Sequence, residues 1–321
     1  MYHRNNMIKQ SLTILAFLLF VFLAFQYLYS GTLNEKTSKR TGFDIIAHRG
    51  VSQPFRKDHL DNHTCTASRI YKPKNDYIEN TIASIQAAFE YGATIVEFDI
   101  RPTKDKQFVV FHDQELGCKT NGKGKVSDYT VSELKQLDIG YGYTFDGGKT
   151  YPFRGKGIGK MPVLEEVLQH FPNKKFLIDN KSGNNLEVAE MLVNRLSRLP
   201  ASEQKNLFLW SRDAAFEYVN SRLPKITRLL LPFDHQKKFF ITYLLTIGMM
   251  HVDDAYRDQG LALPIKYMKY MWGWPNRFLN KVYGAGARFY LVVNDPDDLK
   301  QISGIPLDGI ITYNIEKLGK L

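Results

Sequence analysis

Short apolar runs recur along this chain at helix-length intervals, and several stop on an acid or a base. Residues 43–47 run into His48, residues 108–111 into His112, and residues 175–178 into Asp179. Residues 95–100 carry Glu97 and Asp99 within the run itself. Further strand-like runs fall at 207–210, 228–231, 288–293 and 309–312. Helix-like segments lie between most of them, at 81–91, 131–137, 163–171, 186–199, 214–219, 239–250 and 264–283. Strands that alternate with helices pair in parallel, because the helix supplies the crossover. Eight such strands predict a closed (β/α)8 TIM barrel. Leu261, Ala262 and Leu263 form a candidate ninth strand, and an open doubly wound sheet is the alternative. No Gly-rich phosphate loop and no internal repeat supports that alternative.

In a barrel, residues at the C-terminal ends of the strands share one rim. Alternation along 95–101 sets Val96, Phe98 and Ile100 on one face and Glu97, Asp99 and Arg101 on the other. Two carboxylates on the inner face repel unless a cation joins them. Asp179, at another strand end, supplies a third oxygen ligand. An all-oxygen set favours Mg²⁺ or Ca²⁺ over zinc. His48 and His112 flank this strand in sequence. Each alone reads as structural, but two imidazoles beside three acids suit general acid–base chemistry on a phosphodiester. Arg49 and Lys181 offer cations for a phosphate, or salt bridges to the neighbouring acids. Glu79 and Asn80 open a helix, and Asn80 reads either as its cap or as a supporting residue of the site.

Outside this region, residues 12–28 form an apolar run, and no charge falls between Lys9 and Glu35. The length suits one transmembrane helix. A cleaved signal peptide is the rival, but no small-x-small site follows the run. The organisation read here is a membrane anchor at 1–30, a polar linker at 31–41 and a catalytic barrel at 42–321, placed outside the cytoplasm. The net charge is +10. No acid lies between Asp258 and Asp295, where Lys266, Lys269, Arg277, Lys281 and Arg288 mix with aromatics. That stretch suits an anionic membrane surface, an anionic substrate or a solvated face. No nucleic-acid motif accompanies the charge, so nucleic acid is not an expected partner. Cys65 and Cys118 make neither a disulfide framework nor a zinc site, and both a single bridge and two free thiols fit. The long polar stretch 51–78 is of a length associated with functional loops.

The motifs resemble the glycerophosphodiester phosphodiesterase family. Ala47-His48-Arg49-Gly50, Glu79-Asn80-Thr81, Glu97-Phe98-Asp99 and Phe111-His112-Asp113 follow that family's signature in order, and Asp179-Asn180-Lys181 matches its acid-x-Lys element. Val293-Asn294 and residues 308–312 resemble its closing strands. The resemblance implies a (β/α)8 barrel that cleaves glycerophosphodiesters to glycerol 3-phosphate and an alcohol. It implies His48 and His112 as the acid–base pair, Glu97, Asp99 and Asp179 as ligands of one divalent ion, and Arg49 and Lys181 on the phosphate. Departures from the pattern are Ile78 where Pro is usual, Asp179 where Glu is commoner, Val292 in a strand without Trp, and Tyr313 where Asp is usual. They bear on the substrate pocket more than on the acids. A lysophospholipase D acting on membrane lysolipids is the second expectation, and a barrel kept only for binding the third.

Overall fold

The computed structural model describes residues 2–30, 42–58 and 64–318. The expected linker at 31–41 lies outside the described residues, as does part of the 51–78 loop. Among the described residues eight strands are formed: β1 (Asp44–His48), β2 (Ile95–Pro102), β3 (Phe108–Val110), β4 (Lys175–Asn180), β5 (Leu207–Trp210), β6 (Gly260–Pro264), β7 (Arg288–Val292) and β8 (Gly309–Thr312). Seven of them run in parallel in the order β5-β4-β2-β1-β8-β7-β6.

The eighth barrel position is the segment 227–231. It pairs with β5 at Phe208–Thr227 and with β6 at Leu230–Gly260, both in parallel. Leu209 N donates to Thr227 O at 2.9 Å, and Gly260 N to Leu229 O at 2.7 Å. These bonds join the two open edges, and the sheet closes as the expected TIM barrel.

Three sequence expectations are revised within this frame. The run at 108–111 does form a strand, but β3 folds back antiparallel on the end of β2 and is not a barrel stave. Residues 261–263, the candidate ninth strand, are a full member of the barrel. The expected helix at 264–283 is broken. A 3₁₀ turn covers Ile265–Tyr270, and an α-helix starts only at Asn276. Gly273, with φ +69°, and Pro275 stand between them and interrupt a continuous helical ladder.

The barrel has two apolar layers. Val96, Phe98 and Ile100 pack outward against Ile85, Val167 and Leu192 of the surrounding helices. Fully burying one such side chain stabilises the fold by about 1.5–3 kcal/mol. Ile46, Ile95, Leu177, Leu229, Tyr290 and Ile311 fill the barrel interior. On the strands, Ile46 is two residues from His48, Ile95 from Glu97, and Leu177 from Asp179. Period-2 alternation therefore stacks the polar residues directly above this plug, at the C-terminal rim.

A second lobe draws on residues 67–78 and 109–163 and packs Ile70, Phe111, Leu116, Tyr143 and Met161 together. Cys65 and Cys118 are joined in a disulfide that fastens this lobe, with a Cα–Cα distance of 5.4 Å. At the N-terminus, one helix spans Tyr2–Ser30, and its stretch Met7–Phe25 is long and apolar enough to cross a membrane.

Candidate active site

The turn after β1 begins the site. Gly50 has φ +72°, and a Cβ there would collide with the backbone and hydroxyl of Ser84. Only glycine lets the chain pass so close to the next helix. Arg49 and Asn80 also adopt left-handed conformations, with φ of 61° and 60°. Non-glycine residues hold that conformation where surrounding contacts dictate it.

For Asn80 those contacts are plain. Its Nδ2 donates to Asp99 Oδ2 at 2.8 Å, and its Oδ1 accepts from Asp99 N at 3.2 Å. The helix cap is Thr81, not Asn80: Thr81 and Ser84 exchange side-chain bonds in a capping box that opens the helix Ile82–Glu90. Glu79 faces inward and pairs with Arg49 Nη1 at 3.0 Å.

Glu97, Asp99 and Asp179 converge as alternation requires. Each offers an oxygen, and these oxygens lie within 4.8 Å of one another. Glu97 Oε2 accepts from Arg49 N at 2.8 Å and lies 3.9 Å from His48 Nε2. Glu97 Oε1 is buried with no hydrogen-bond partner among the described residues. Burial, with the Asp99 and Asp179 carboxylates nearby, pushes the Glu97 carboxyl well up. Burial also pushes Asp99 up, but Lys181 and Arg49 outweigh it and hold that carboxyl well below its usual range. A clustered acid set in which Glu97 Oε1 and Asp99 Oδ1 are buried without a hydrogen bond is the environment that a divalent cation relieves. The residues present therefore fit such an ion.

The cations close around the acids. Arg49 Nε lies 3.1 Å from Asp99 Oδ2, and Lys181 Nζ is 3.0 Å from Asp99 Oδ1 and pairs with Asp179. Arg49 is buried; Nη1 hydrogen-bonds Glu79, while Nε faces Asp99 as an ion pair without an aligned hydrogen bond. Burial depresses both imidazoles below their ordinary value, most strongly at His48, where the Arg49 guanidinium adds to it. The Tyr313 ring packs against His48 at a tilt of 46°, with centroids 4.1 Å apart, and Lys57 Nζ lies 4.3 Å from the Tyr313 ring centre. His112 Nδ1 meets Asp113 Oδ1 at 2.7 Å. An ionised carboxylate only accepts, so this contact puts the proton on Nδ1 and leaves Nε2 to exchange one. Arg101 donates to the His112 and Lys181 carbonyls at 3.0 Å each, tying the two loops together.

All nine residues singled out from the sequence thus enter one connected constellation. Three neighbours were not foreseen. Lys119 is 2% exposed and bonds both Glu79, at 2.9 Å, and Asp113, at 3.0 Å. Asp113 belongs to a recognised motif, yet its role as the partner of His112 shows only in the fold. Tyr313 was visible only as a departure from the family pattern. Beside the acids, a cavity of about 460 Å³ opens along Asp179, Lys181, Trp210, Ser211, Arg212 and Phe233.

Comparisons with known proteins bear on this geometry. The model of the glycerophosphoryl diester phosphodiesterase family matches residues 48–317. A glycerophosphodiester phosphodiesterase of Caldanaerobacter subterraneus is 40% identical over 109 residues, which is 33% of this chain and 40% of that protein. A human lysophospholipase D is 27% identical over 229 residues, covering 70% of this chain and 66% of its own length. The match spans less than half the length of the bacterial glycerophosphodiester phosphodiesterases, at 40–46%. Among solved structures, the glycerophosphoryl diester phosphodiesterase domain of an uncharacterised Mycobacterium tuberculosis protein superposes with a TM-score of 0.61 at 18% identity. That superposition covers 86% of this chain and 97% of the domain, and it is a likeness of fold.

Proposed function

This chain belongs to the glycerophosphoryl diester phosphodiesterase family, and we propose that it hydrolyses glycerophosphodiesters to glycerol 3-phosphate and an alcohol. The observation that carries the reading is the convergence of Glu97, Asp99 and Asp179 at the rim, with Glu97 Oε1 buried and unpaired. These three carboxylates would hold one divalent ion, Mg²⁺ or Ca²⁺. Such an ion, when bound, withdraws charge from the phosphate and favours attack on phosphorus.

The chain's own groups do the rest. Of His48 and His112, one imidazole takes a proton from the attacking water and the other gives one to the leaving alcohol oxygen. His112 works through Nε2, because Asp113 holds its Nδ1. The remaining Arg49 donors and the Lys181 ammonium stabilise the phosphate charge as it grows in the transition state. Asn80 and Glu79 hold Asp99 and Arg49 in place. The test is release of glycerol 3-phosphate from glycerophosphocholine by the purified full chain, with and without EDTA. No release at any divalent ion would refute the reading in favour of a barrel kept for binding.

A second reading, a lysophospholipase D, is favoured by the surface beside the site. Tyr267 and Tyr270 are 44% and 56% exposed, and Lys266 and Lys269 are exposed beside them. Lys57 links this turn to the site: burial and the nearby Lys266 ammonium push its pKa down, and it lies over Tyr313, whose ring packs against His48. A basic, aromatic surface at the mouth suits a substrate drawn from an anionic bilayer. Faster turnover of a lysophospholipid than of its deacylated counterpart supports this reading, and equal or slower turnover removes it. In either case residues 1–30 serve as an uncleaved anchor, residues 31–41 as a linker and residues 42–321 as the catalytic domain, outside the cytoplasm. The Cys65–Cys118 bridge favours such an oxidising compartment. A mature protein lacking its first residues would show a signal peptide instead.

A further inference from the structure

Lys119 has no part in the chemistry proposed above, yet its side chain is 2% exposed. Burying a charge is costly unless it is paired. The apolar lobe around it holds Phe111, Leu116, Tyr143 and Met161 and has no need of a cation. Its two partners are acids of the site. Glu79 Oε1, at 2.9 Å, is the oxygen that also takes Arg49, and Asp113 Oδ1, at 3.0 Å, is the oxygen that also takes His112 Nδ1. One ammonium therefore stands between the two groups that fix Arg49 and His112.

The backbone that carries Lys119 is itself held from two sides. Cys118, the preceding residue, is bonded to Cys65, 53 positions earlier. Gly142 N donates to Lys119 O at 3.3 Å, and a Cβ on Gly142 would strike the Cys118 carbonyl oxygen. A flexible lysine is thus mounted on a rigid base.

We propose that Lys119 is a positioning residue for His112, acting through Asp113, and that the Cys65–Cys118 bridge and the close approach of Gly142 hold Lys119 where it can do so. This rests on His112 being an acid–base residue, as read above. Lys119 anchors the carboxylate oxygen, the carboxylate anchors Nδ1–H, and Nε2 is thereby aimed at the reacting phosphate. The disulfide then serves the site as well as the fold.

The test uses the full chain in detergent, selectively labelled with ¹⁵N-histidine. It compares Lys119→Met, Lys119→Arg and the double variant Cys65→Ser/Cys118→Ser. An imidazole Nδ1–H bonded to a carboxylate gives a far-downfield proton resonance, which needs neither substrate nor metal to be seen. The methionine variant should keep its fold, lose the His112 resonance, and drop in kcat by about 10- to 100-fold with KM changed little, as when a histidine's supporting partner is removed. The arginine variant should recover much of both. The double serine variant should fall between wild type and methionine, and it carries the test if the methionine variant does not fold. A folded methionine variant with the resonance and kcat of wild type would overturn the proposal. So would a folded arginine variant as impaired as the methionine one. If wild type turns over no diester but the resonance still depends on Lys119, the functional reading fails and the positioning role stands.

Discussion

Asn80 grips Asp99 twice, once through its own side-chain donor at 2.8 Å and once by accepting from the Asp99 backbone at 3.2 Å. The two residues come from different parts of the chain, a turn before a helix and the middle of β2. Their exchange fixes the central acid of the site, and it explains why Asn80 adopts a left-handed backbone with φ 60°. Removing the amide leaves a buried carboxylate and a buried N–H each short of a partner. Asn80→Ala should therefore destabilise the protein by about 1–3 kcal/mol, measured by denaturant unfolding, and should weaken divalent-ion binding in calorimetry.

The two imidazoles carry the proton transfers in this account. His48→Ala and His112→Ala should each lower kcat by roughly 10²- to 10⁴-fold while leaving the melting temperature close to wild type. The assay is glycerol 3-phosphate release at saturating ion. A variant of either histidine with full activity would remove it from the mechanism.

Metal removal has a readout in stability. An ion that binds only the native barrel stabilises it by about 2.7 kcal/mol at a hundred times its dissociation constant. Mg²⁺ or Ca²⁺ should thus raise the melting temperature of the EDTA-treated protein. Glu97→Gln, which replaces the carboxylate bearing the free Oε1, should abolish that rise. A rise of wild-type size in the variant would exclude Glu97 as a ligand.

The Glu79 and Asp113 carboxyls give an acid dependence. Burial pushes Glu79 up, but Lys119 and Arg49 hold it below its ordinary value. Burial likewise pushes Asp113 up, and Lys119 and His112 hold it well below. A carboxyl whose pKa is lower in the folded chain adds stability above its unfolded pKa and loses it as the pH falls through the folded one. The melting temperature should therefore fall below about pH 4. Glu79→Gln should flatten that fall and cost about 3 kcal/mol near neutrality, because it breaks a buried ion pair.

The three acids and His48 were legible because alternation and the ends of barrel strands dictate where they go, whereas His112 follows a run that is not a stave. Glu97 and Asp99 needed only a period of two and an apolar face opposite them. The barrel was legible for the same reason, though its staves were partly misassigned. The run at 108–111 looks like any buried strand, and only the hairpin through Thr103 and Gln107 turns it antiparallel. Residues 261–263 are few and end at Pro264, so their pairing with β7 shows only when the sheet closes. Gly273 and Pro275 did mark the break in the expected helix at 264–283. Lys119 left no such mark. Nothing local separates a lysine buried on two acids from one at the surface, because its partners lie 40 and 6 residues away.

The central claim is that Glu97, Asp99 and Asp179 share one divalent ion beside the two imidazoles. Anomalous diffraction from a crystal soaked in Mn²⁺ tests it most directly. The expected result is a single peak at about 2.0–2.6 Å from an oxygen of each carboxylate, within the range for hard cations. A peak elsewhere on the chain, or none among these three acids at saturating Mn²⁺, would contradict the account.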